Sequence, residues 1–238
     1  MDDSWGESKK ILVVLAHPDD PEFFCGGSIA HWTESGHHIS YLLLTCGDKG
    51  ASDSAIDTKE LCVDRHQEQR AAAAVLGVSD IYFLDYPDGY LIPDLKLRRE
   101  ITRFIRMLRP DILVTCDPRT LTVNDNRINH PDHRAAGQAT LDAVFPASGN
   151  PLFFPELLEE GLKPHSPHEV WICGTQIPNI CIDVTQYWEK KITALHEHRS
   201  QVGDQLALDK RMRSRRTPDS TEEKPRYEES FQRIIFDT

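Results

Sequence analysis

Two histidine–aspartate clusters hold the chemistry this chain can do. Ala16-His17-Pro18-Asp19-Asp20 directly follows the apolar run Ile11-Leu12-Val13-Val14-Leu15, and His130-Pro131-Asp132-His133 lies beyond Ile112-Leu113-Val114-Thr115-Cys116. Together they supply imidazoles and carboxylates enough for a three-ligand metal site, with a carboxylate to spare as a base. Metal-assisted hydrolysis needs that set, because a catalytic zinc keeps one position open for water. Pro18 biases His17 toward extended backbone. Asp20, three residues on, can meet His17 in a tight turn while Asp19 projects differently. His130 and His133 are also three apart. Pro131 suits the first turn of a helix, and Asp132 is placed to fix an imidazole's tautomer. Alone, each cluster reads equally well as a capped turn or an acidic helix start; their joint occurrence points to a site.

The elements that must position them alternate. Strands are expected at Lys10 to Ala16, His38 to Thr45, Ile81 to Leu84 and Asp111 to Cys116, and helices at Cys25 to Ser35, Thr58 to Leu76, Leu95 to Leu108 and Pro131 to Phe145. Repeated βα units of this kind predict an α/β fold: a Rossmann-like, mainly parallel twisted sheet with helices on both faces. In strand order 3-2-1-4 the first and fourth strands are neighbours, and the crevice at their carboxyl ends is where such folds bind ligands. That topology brings the two clusters together.

After Pro146 the pattern changes. A proline-rich connection precedes strands at Glu169 to Gly174 and Asn179 to Val184 and a helix at Thr185 to Ser200. Residues 203–230 are polar and read as a mobile excursion before Ile234-Ile235-Phe236. The expectation is a single domain over 9–201 with an elaborated C-terminal third, and an extension over 202–238, partly mobile and packing back on it.

The chain has 238 residues, 39% of them hydrophobic, enough to bury a full core. A formal net charge of -11 argues against nucleic acid and anionic membrane surfaces as partners. The run Lys210-Arg211-Met212-Arg213-Ser214-Arg215-Arg216 is the local exception and reads as a solvated helix end or tail. No apolar segment approaches the ~20 residues of a membrane span, and the acidic start shows no signal peptide, so a cytoplasmic location is expected. The six cysteines form no Cys-x-x-Cys pair and read as free thiols, with no disulfide framework. Gly26-Gly27 is a poor dinucleotide turn, because the eight residues His17 to Phe24 before Cys25 include three acids that would repel phosphate. There is no Gly-x-Ser-x-Gly elbow.

At these residues the chain resembles the zinc-dependent N-acetylglucosaminyl deacetylases of the PIG-L/LmbE-like family. The two clusters match the family's defining motifs. The likeness extends to Phe24-Cys25-Gly26-Gly27-Ser28, Arg65-x-x-Glu68 running into Ala72-Ala73-Ala74-Val75-Leu76-Gly77, Tyr86-Pro87-Asp88-Gly89, Arg109-Pro110-Asp111 and His198-Arg199-Ser200-Gln201. It implies one Zn²⁺ per chain on His17, Asp20 and His133, and Asp19 as general base. It implies His130 as the group that steadies the tetrahedral intermediate or protonates the leaving amine, with Asp132 orienting it. Arg65 then corresponds to a sugar-contacting arginine, His198 to a late histidine that reaches the site in some relatives, and the assembly to a homo-oligomer, trimer or hexamer. Many members read His-Pro-Asp-Asp-Glu; here Pro21 precedes Glu22, which leaves the ligand spacing intact and the role of Glu22 open.

The implied reaction is hydrolysis of the acetamide on a 2-acetamido sugar, an N-acetylglucosamine-type substrate with diacetylchitobiose among the candidates. Asp88, Tyr86, Arg65 and Trp171 are candidate sugar contacts. Two other readings stand beside it: a metal-dependent amidase acting on a sugar–thiol conjugate or another small amide, and a non-catalytic carbohydrate-binding protein, which would not need Asp19.

Overall fold

The structure is a computed structural model that describes residues 5–51 and 53–236. The acidic start at residues 1–4 and the last two residues of the expected extension lie outside them.

Strand β1 (Lys10–Leu15) is buried from Ile11 onward, as a central parallel strand covered on both faces must be. Its two faces feed separate cores. Ile11, Val13 and Leu15 pack on one side of the sheet, and Leu12, Val14 and Ala16 on the other, in the alternation of a pleated strand. Helices α1 (Asp20–Glu34) and α2 (Thr58–Leu76) cover the first side, and α3 (Leu95–Leu108) and α4 (Pro131–Asp142) the second. Local signals end these helices. Asp57 caps α2 by accepting the Lys59 N–H, Asp94 caps α3 by accepting that of Leu97, and Gly77 closes α2 in the left-handed conformation.

Strands β2 (His38–Thr45), β3 (Asp80–Tyr86) and β4 (Ile112–Cys116) complete the parallel set in the expected order β3-β2-β1-β4. A small hairpin, β5 (Thr122–Asn124) and β6 (Arg127–Ile128), follows β4. Beyond α4, a π-helical stretch at Ala143–Ser148 and the short helix α5 (Glu156–Glu159) lead to β7 (Glu169–Cys173), parallel to β4, and then to β8 (Ile180–Asp183).

Three expectations need correction. Helix α1 begins at Asp20, not Cys25; it is kinked at Cys25 (φ -144°, ψ 22°), so a second set of N-terminal amides opens inside it. The helix expected from Thr185 to Ser200 is divided into a 3₁₀ turn (Thr185–Tyr187), α6 (Trp188–His196) and α7 (Arg199–Val202). The cysteines are not all free: Cys46, just past β2, is disulfide-bonded to Cys62 on α2, while Cys25, Cys116 and Cys173 are buried thiols. The pairing is a tertiary contact between a strand end and a helix, which spacing alone does not reveal.

The polar stretch after Gly203 contains helix α8 (Gln205–Arg213) and strand β9 (Glu228–Ile235). β9 inserts antiparallel between β7 and β8, giving the sheet order β3-β2-β1-β4-β7-β9-β8. Its carboxylate Glu229 accepts the N–H groups of Gly27 (3.0 Å) and Ser28 (2.7 Å), so it caps the second half of α1. Lys191 of α6 neutralises that carboxylate at 2.6 Å. Gly27 is required there, because a Cβ would stand 2.7 Å from Cβ of Val184. No helix among the described residues is long and apolar enough to cross a membrane.

Candidate active site

The carboxyl ends of β1 and β4 open into a cavity of about 750 Å³ whose lining includes His17, Asp19, Asp20, His130 and His133. At its floor, Asp20 lies between two imidazoles. Its Oδ2 is 3.3 Å from His17 Nδ1 and its Oδ1 is 3.1 Å from His133 Nε2. Asp20 heads α1 and its Oδ2 also accepts the His17 N–H (2.8 Å), closing the tight turn that the spacing suggested.

The far nitrogen of each imidazole determines what the near one offers. His17 Nε2 is 3.1 Å from Asp88 Oδ1 and 3.4 Å from Asp132 Oδ2, both acceptors, so the neutral ring keeps its proton there and leaves Nδ1 as the nitrogen that could bind a cation. His133 Nδ1 lies 3.1 Å from Asn129 Oδ1, which leaves the lone pair on Nε2. With the near nitrogens deprotonated, two lone pairs and a carboxylate would face one another in a buried pocket, an arrangement that calls for a positive charge at its centre. Without a cation a proton on His17 meets that demand, and a metal ion would displace it. Burial opposes a charge on His17, yet hydrogen bonds to Asp132, Asp20 and Asp88 carry its pKa well above the ordinary value. Burial likewise opposes the Asp20 carboxylate, but the charges and hydrogen bonds of His133 and His17 hold it well below its ordinary range. The donor set fits a borderline-soft divalent cation, with acceptors behind both histidines as such sites require.

Asp19 stands apart from this trio. Its backbone is left-handed (φ 91°), held there by an N–H bond to Gln69 Oε1 at 2.8 Å. Its carboxylate reaches to 3.4 Å from the Arg65 guanidinium. Burial, only partly offset by Arg65, raises the Asp19 pKa to about 6. Arg65 is itself buried and donates to the carbonyls of Pro18 (2.6 Å) and Gly47 (2.9 Å), tying the first cluster to the loop after β2.

His130 caps α4, its Nδ1 accepting the Asp132 N–H at 3.2 Å. Its proton is thereby on Nε2, 3.8 Å from Asp88 Oδ1, on a ring that faces the cavity. Burial and the neighbouring His17 lower its pKa, favouring the neutral, donating form.

Several side chains sit elsewhere than expected. The Asp132 carboxylate faces His17, not His130, and is pinned by the N–H groups of Gly89 (2.7 Å) and Leu91 (3.2 Å); only its backbone amide touches His130. Asp88 lines the cavity but is engaged with His17. His198 does not reach the cavity: it is completely buried, 3.1 Å from Glu22 Oε2. Glu22 in turn accepts from Gln69 Nε2 at 3.0 Å, so Glu22 and His198 stand behind Asp19 through Gln69. Trp171 is a core residue packed on Trp5, Trp32 and Phe231. Tyr86 lies outside the cavity lining, with Lys96 over its ring. Asn129 and Gln69 were missed. Asn129 had a signal, four residues before His133; Gln69 had none, because its partners come from another element.

At its switch point the α/β sheet thus carries a buried two-histidine, one-carboxylate cluster that could hold a metal ion, with a separate carboxylate beside it, the donor set of the class of metal-assisted hydrolases. The PIG-L family, described as GlcNAc-PI de-N-acetylase, matches residues 12–144, more than half of the chain, and the chain belongs to it. It is 37% identical over 206 residues to the diacetylchitobiose deacetylase of Thermococcus kodakarensis, covering 87% of this chain and 75% of that one. The solved N,N′-diacetylchitobiose deacetylase of Pyrococcus horikoshii, in complex with an inhibitor, superposes with a TM-score of 0.88 at 30% identity, over 98% of this chain and 86% of that one. A 4-carboxy-2-hydroxymuconate hydratase of Pseudomonas putida shares the fold at TM-score 0.69 and 21% identity, over 97% of this chain and 98% of that one. The scaffold by itself therefore does not determine the reaction.

Proposed function

We propose that this chain is a zinc-dependent N-deacetylase that hydrolyses the acetamide of a 2-acetamido sugar of the N-acetylglucosamine type, releasing acetate and the free amine. The observation that carries the reading is the lone-pair-facing trio His17, Asp20 and His133 with the separate, high-pKa carboxylate of Asp19 in one cavity. Likeness to two diacetylchitobiose deacetylases supports an acetamido-sugar substrate.

His17, Asp20 and His133 would hold a zinc ion, which would supply the Lewis acidity that activates water and polarises a carbonyl. Asp19, which is not among the three candidate ligands, takes the proton of the attacking water, and Arg65, 3.4 Å away, steadies the anion. His130, with its proton on Nε2, donates to the oxygen that gains charge as the acetamide carbon becomes tetrahedral. Asp19, then protonated, returns the proton to the departing amine nitrogen. Asp132 and Asp88 fix the His17 tautomer, and Asn129 that of His133. Arg65 helps to shape the sugar pocket while holding Asp19. His198 acts through Glu22 and Gln69 on the Asp19 turn and has no part in binding sugar.

We further propose that residues 9–201 carry the reaction, that the 202–238 segment completes the sheet around it, and that the protein works in the cytoplasm as a homo-oligomer, trimer or hexamer. The test is amine release from N-acetylglucosamine and N,N′-diacetylchitobiose by purified protein, before and after chelation and after zinc is restored. Activity that zinc restores is expected; full activity after metal is removed overturns the reading.

A further inference from the structure

The basic run that reads as a solvated tail has a divided fate. Arg213 pairs with Glu189 (2.8 Å) and Arg216 with Glu222 (3.6 Å), away from the cavity. Arg211 and Arg215, from the same run, line the cavity instead, together with Arg127 of the β5–β6 hairpin. None of these three guanidinium groups has a hydrogen-bond or ion-pair partner among the described residues. Arg211 is seated over the Phe23 ring, 5.3 Å from its centroid, which fixes it beside the site. Burial and the like charges of Arg211 and Arg127 hold the Arg215 guanidinium below its ordinary pKa.

In a chain with 38 acidic and 27 basic residues, three solvent-exposed arginines with no hydrogen-bonded or ion-paired carboxylate gather on one cavity, and their mutual repulsion is a cost that water only partly offsets. An oxyanion removes that cost, because the guanidinium fork matches phosphate and carboxylate oxygens in pairs. The same cavity is lined by the histidines and by Asp19, Asp20 and Asp88, which an anion avoids. A substrate bearing an anion is then favoured in one sense: acetamide toward the histidines, anion toward the arginines.

We propose that Arg127, Arg211 and Arg215 form an oxyanion subsite, and that the acetamido sugar processed here carries a phosphate or carboxylate on the part that faces them. The proposal rests on the deacetylase reading for its sugar and on the arginine geometry for its anion. Two experiments separate these. The first compares kcat/KM for neutral N,N′-diacetylchitobiose, N-acetylglucosamine 1-phosphate and an N-acetylglucosaminyl-glucuronate disaccharide, so that phosphate and carboxylate are told apart. Wild type should favour at least one anionic substrate by about tenfold or more. The preference should appear mainly in KM and shrink as salt is raised. In the triple variant Arg127→Gln/Arg211→Gln/Arg215→Gln the ratio should fall toward one, while Arg216→Gln should leave it intact.

The second experiment measures binding by titration calorimetry on the zinc-loaded protein, comparing N-acetylglucosamine 1-phosphate with N-acetylglucosamine. It reads the subsite even where no acetamide is hydrolysed. An arginine-dependent binding preference without turnover upholds the subsite and overturns the deacetylase reading. Good turnover of the neutral disaccharide with no anionic preference, or a preference that survives in the triple variant, overturns the subsite. So does a triple variant that changes oligomeric state while its substrate ratio is unchanged, which would put a second copy of the chain on the arginines.

Discussion

The turn after β1 and the strand β9 both shape this site, and they do so over very different distances along the chain. His17, Asp19 and Asp20 fall within four residues, and their geometry follows from a strand end, a proline and a helix start. Glu229 of β9 acts across 202 residues to cap the kinked half of α1, and across 38 to meet Lys191. The first region supplies the reacting groups; the second holds the helix that presents them. Damage to the first should remove activity from a folded protein, and damage to the second should weaken the fold that keeps the site in place.

The largest effects belong to the first region. His133→Ala should abolish activity and zinc content together, with near-normal circular dichroism. His130→Ala should lose most activity but keep its zinc, since its Nε2 points to Asp88 and the cavity, not to Asp20. Metal analysis of both variants checks the division, and an empty His130→Ala protein would reverse the two roles.

Asp19→Asn should reduce kcat by ~10²–10⁴-fold with zinc retained, because an amide cannot accept the water's proton. The same residue sets an acid limb. A base works when deprotonated, so activity falls as pH drops through its pKa, about 6 in the cation-free protein. A bound cation nearby favours the carboxylate and moves the limb lower. The kcat/KM profile of wild type should show that limb, and a variant within a few-fold of wild type would remove Asp19 from the chemistry.

Much of this region was legible because its signals are local. Strand β1 announces itself by an apolar run, α2 and α3 by the Gly77 and Arg109-Pro110 that close them, and order β3-β2-β1-β4 by alternation of elements. The C-terminal third was not, and the reason is chemical. Glu169, Lys191, Glu229 and Arg233 are residue types that read as solvated, yet Glu229–Lys191 and the Glu169–Arg233 pair, at 2.7 Å, are buried or nearly so. Polarity predicts solvent only until a partner from a distant segment arrives. The same holds within the site, where the partner of the Asp132 carboxylate proved to be His17, 115 residues before it, instead of its neighbour His130.

Glu229→Gln tests the second region directly. It keeps the shape of the side chain but leaves the Lys191 ammonium buried without its counter-charge. Breaking a buried pair from one side costs about 3–5 kcal/mol, and a domain of this size loses roughly 2–4 °C of Tm per kcal/mol. Urea or thermal unfolding should show that loss, while the exposed Arg216–Glu222 pair should tolerate Glu222→Gln with little change. Equal effects at the two positions would remove Glu229 from its part in holding α1.

The smallest effect is expected where the two regions touch. A methyl group on Gly27 would improve helix propensity by about 1 kcal/mol, but its Cβ would stand 2.7 Å from Cβ of Val184, just beyond β8. Val184 is fully buried and branched at Cβ, so it cannot swing aside as a flexible side chain could. Overpacking of this kind costs ~1–3 kcal/mol, and Gly27→Ala should be destabilising by something near the lower end once propensity is subtracted. Val184→Gly alone should also destabilise, by leaving space in the core. The double variant Gly27→Ala/Val184→Gly decides the cause: only glycine removes the Cβ at 184, so if close approach is the reason for glycine at 27, the new methyl enters the space that is vacated. The pair should then be less destabilised than the sum of the singles, by at least about 0.5 kcal/mol. Simple additivity in denaturant midpoints would remove the close packing of α1 against the end of β8 as the reason for glycine at this position.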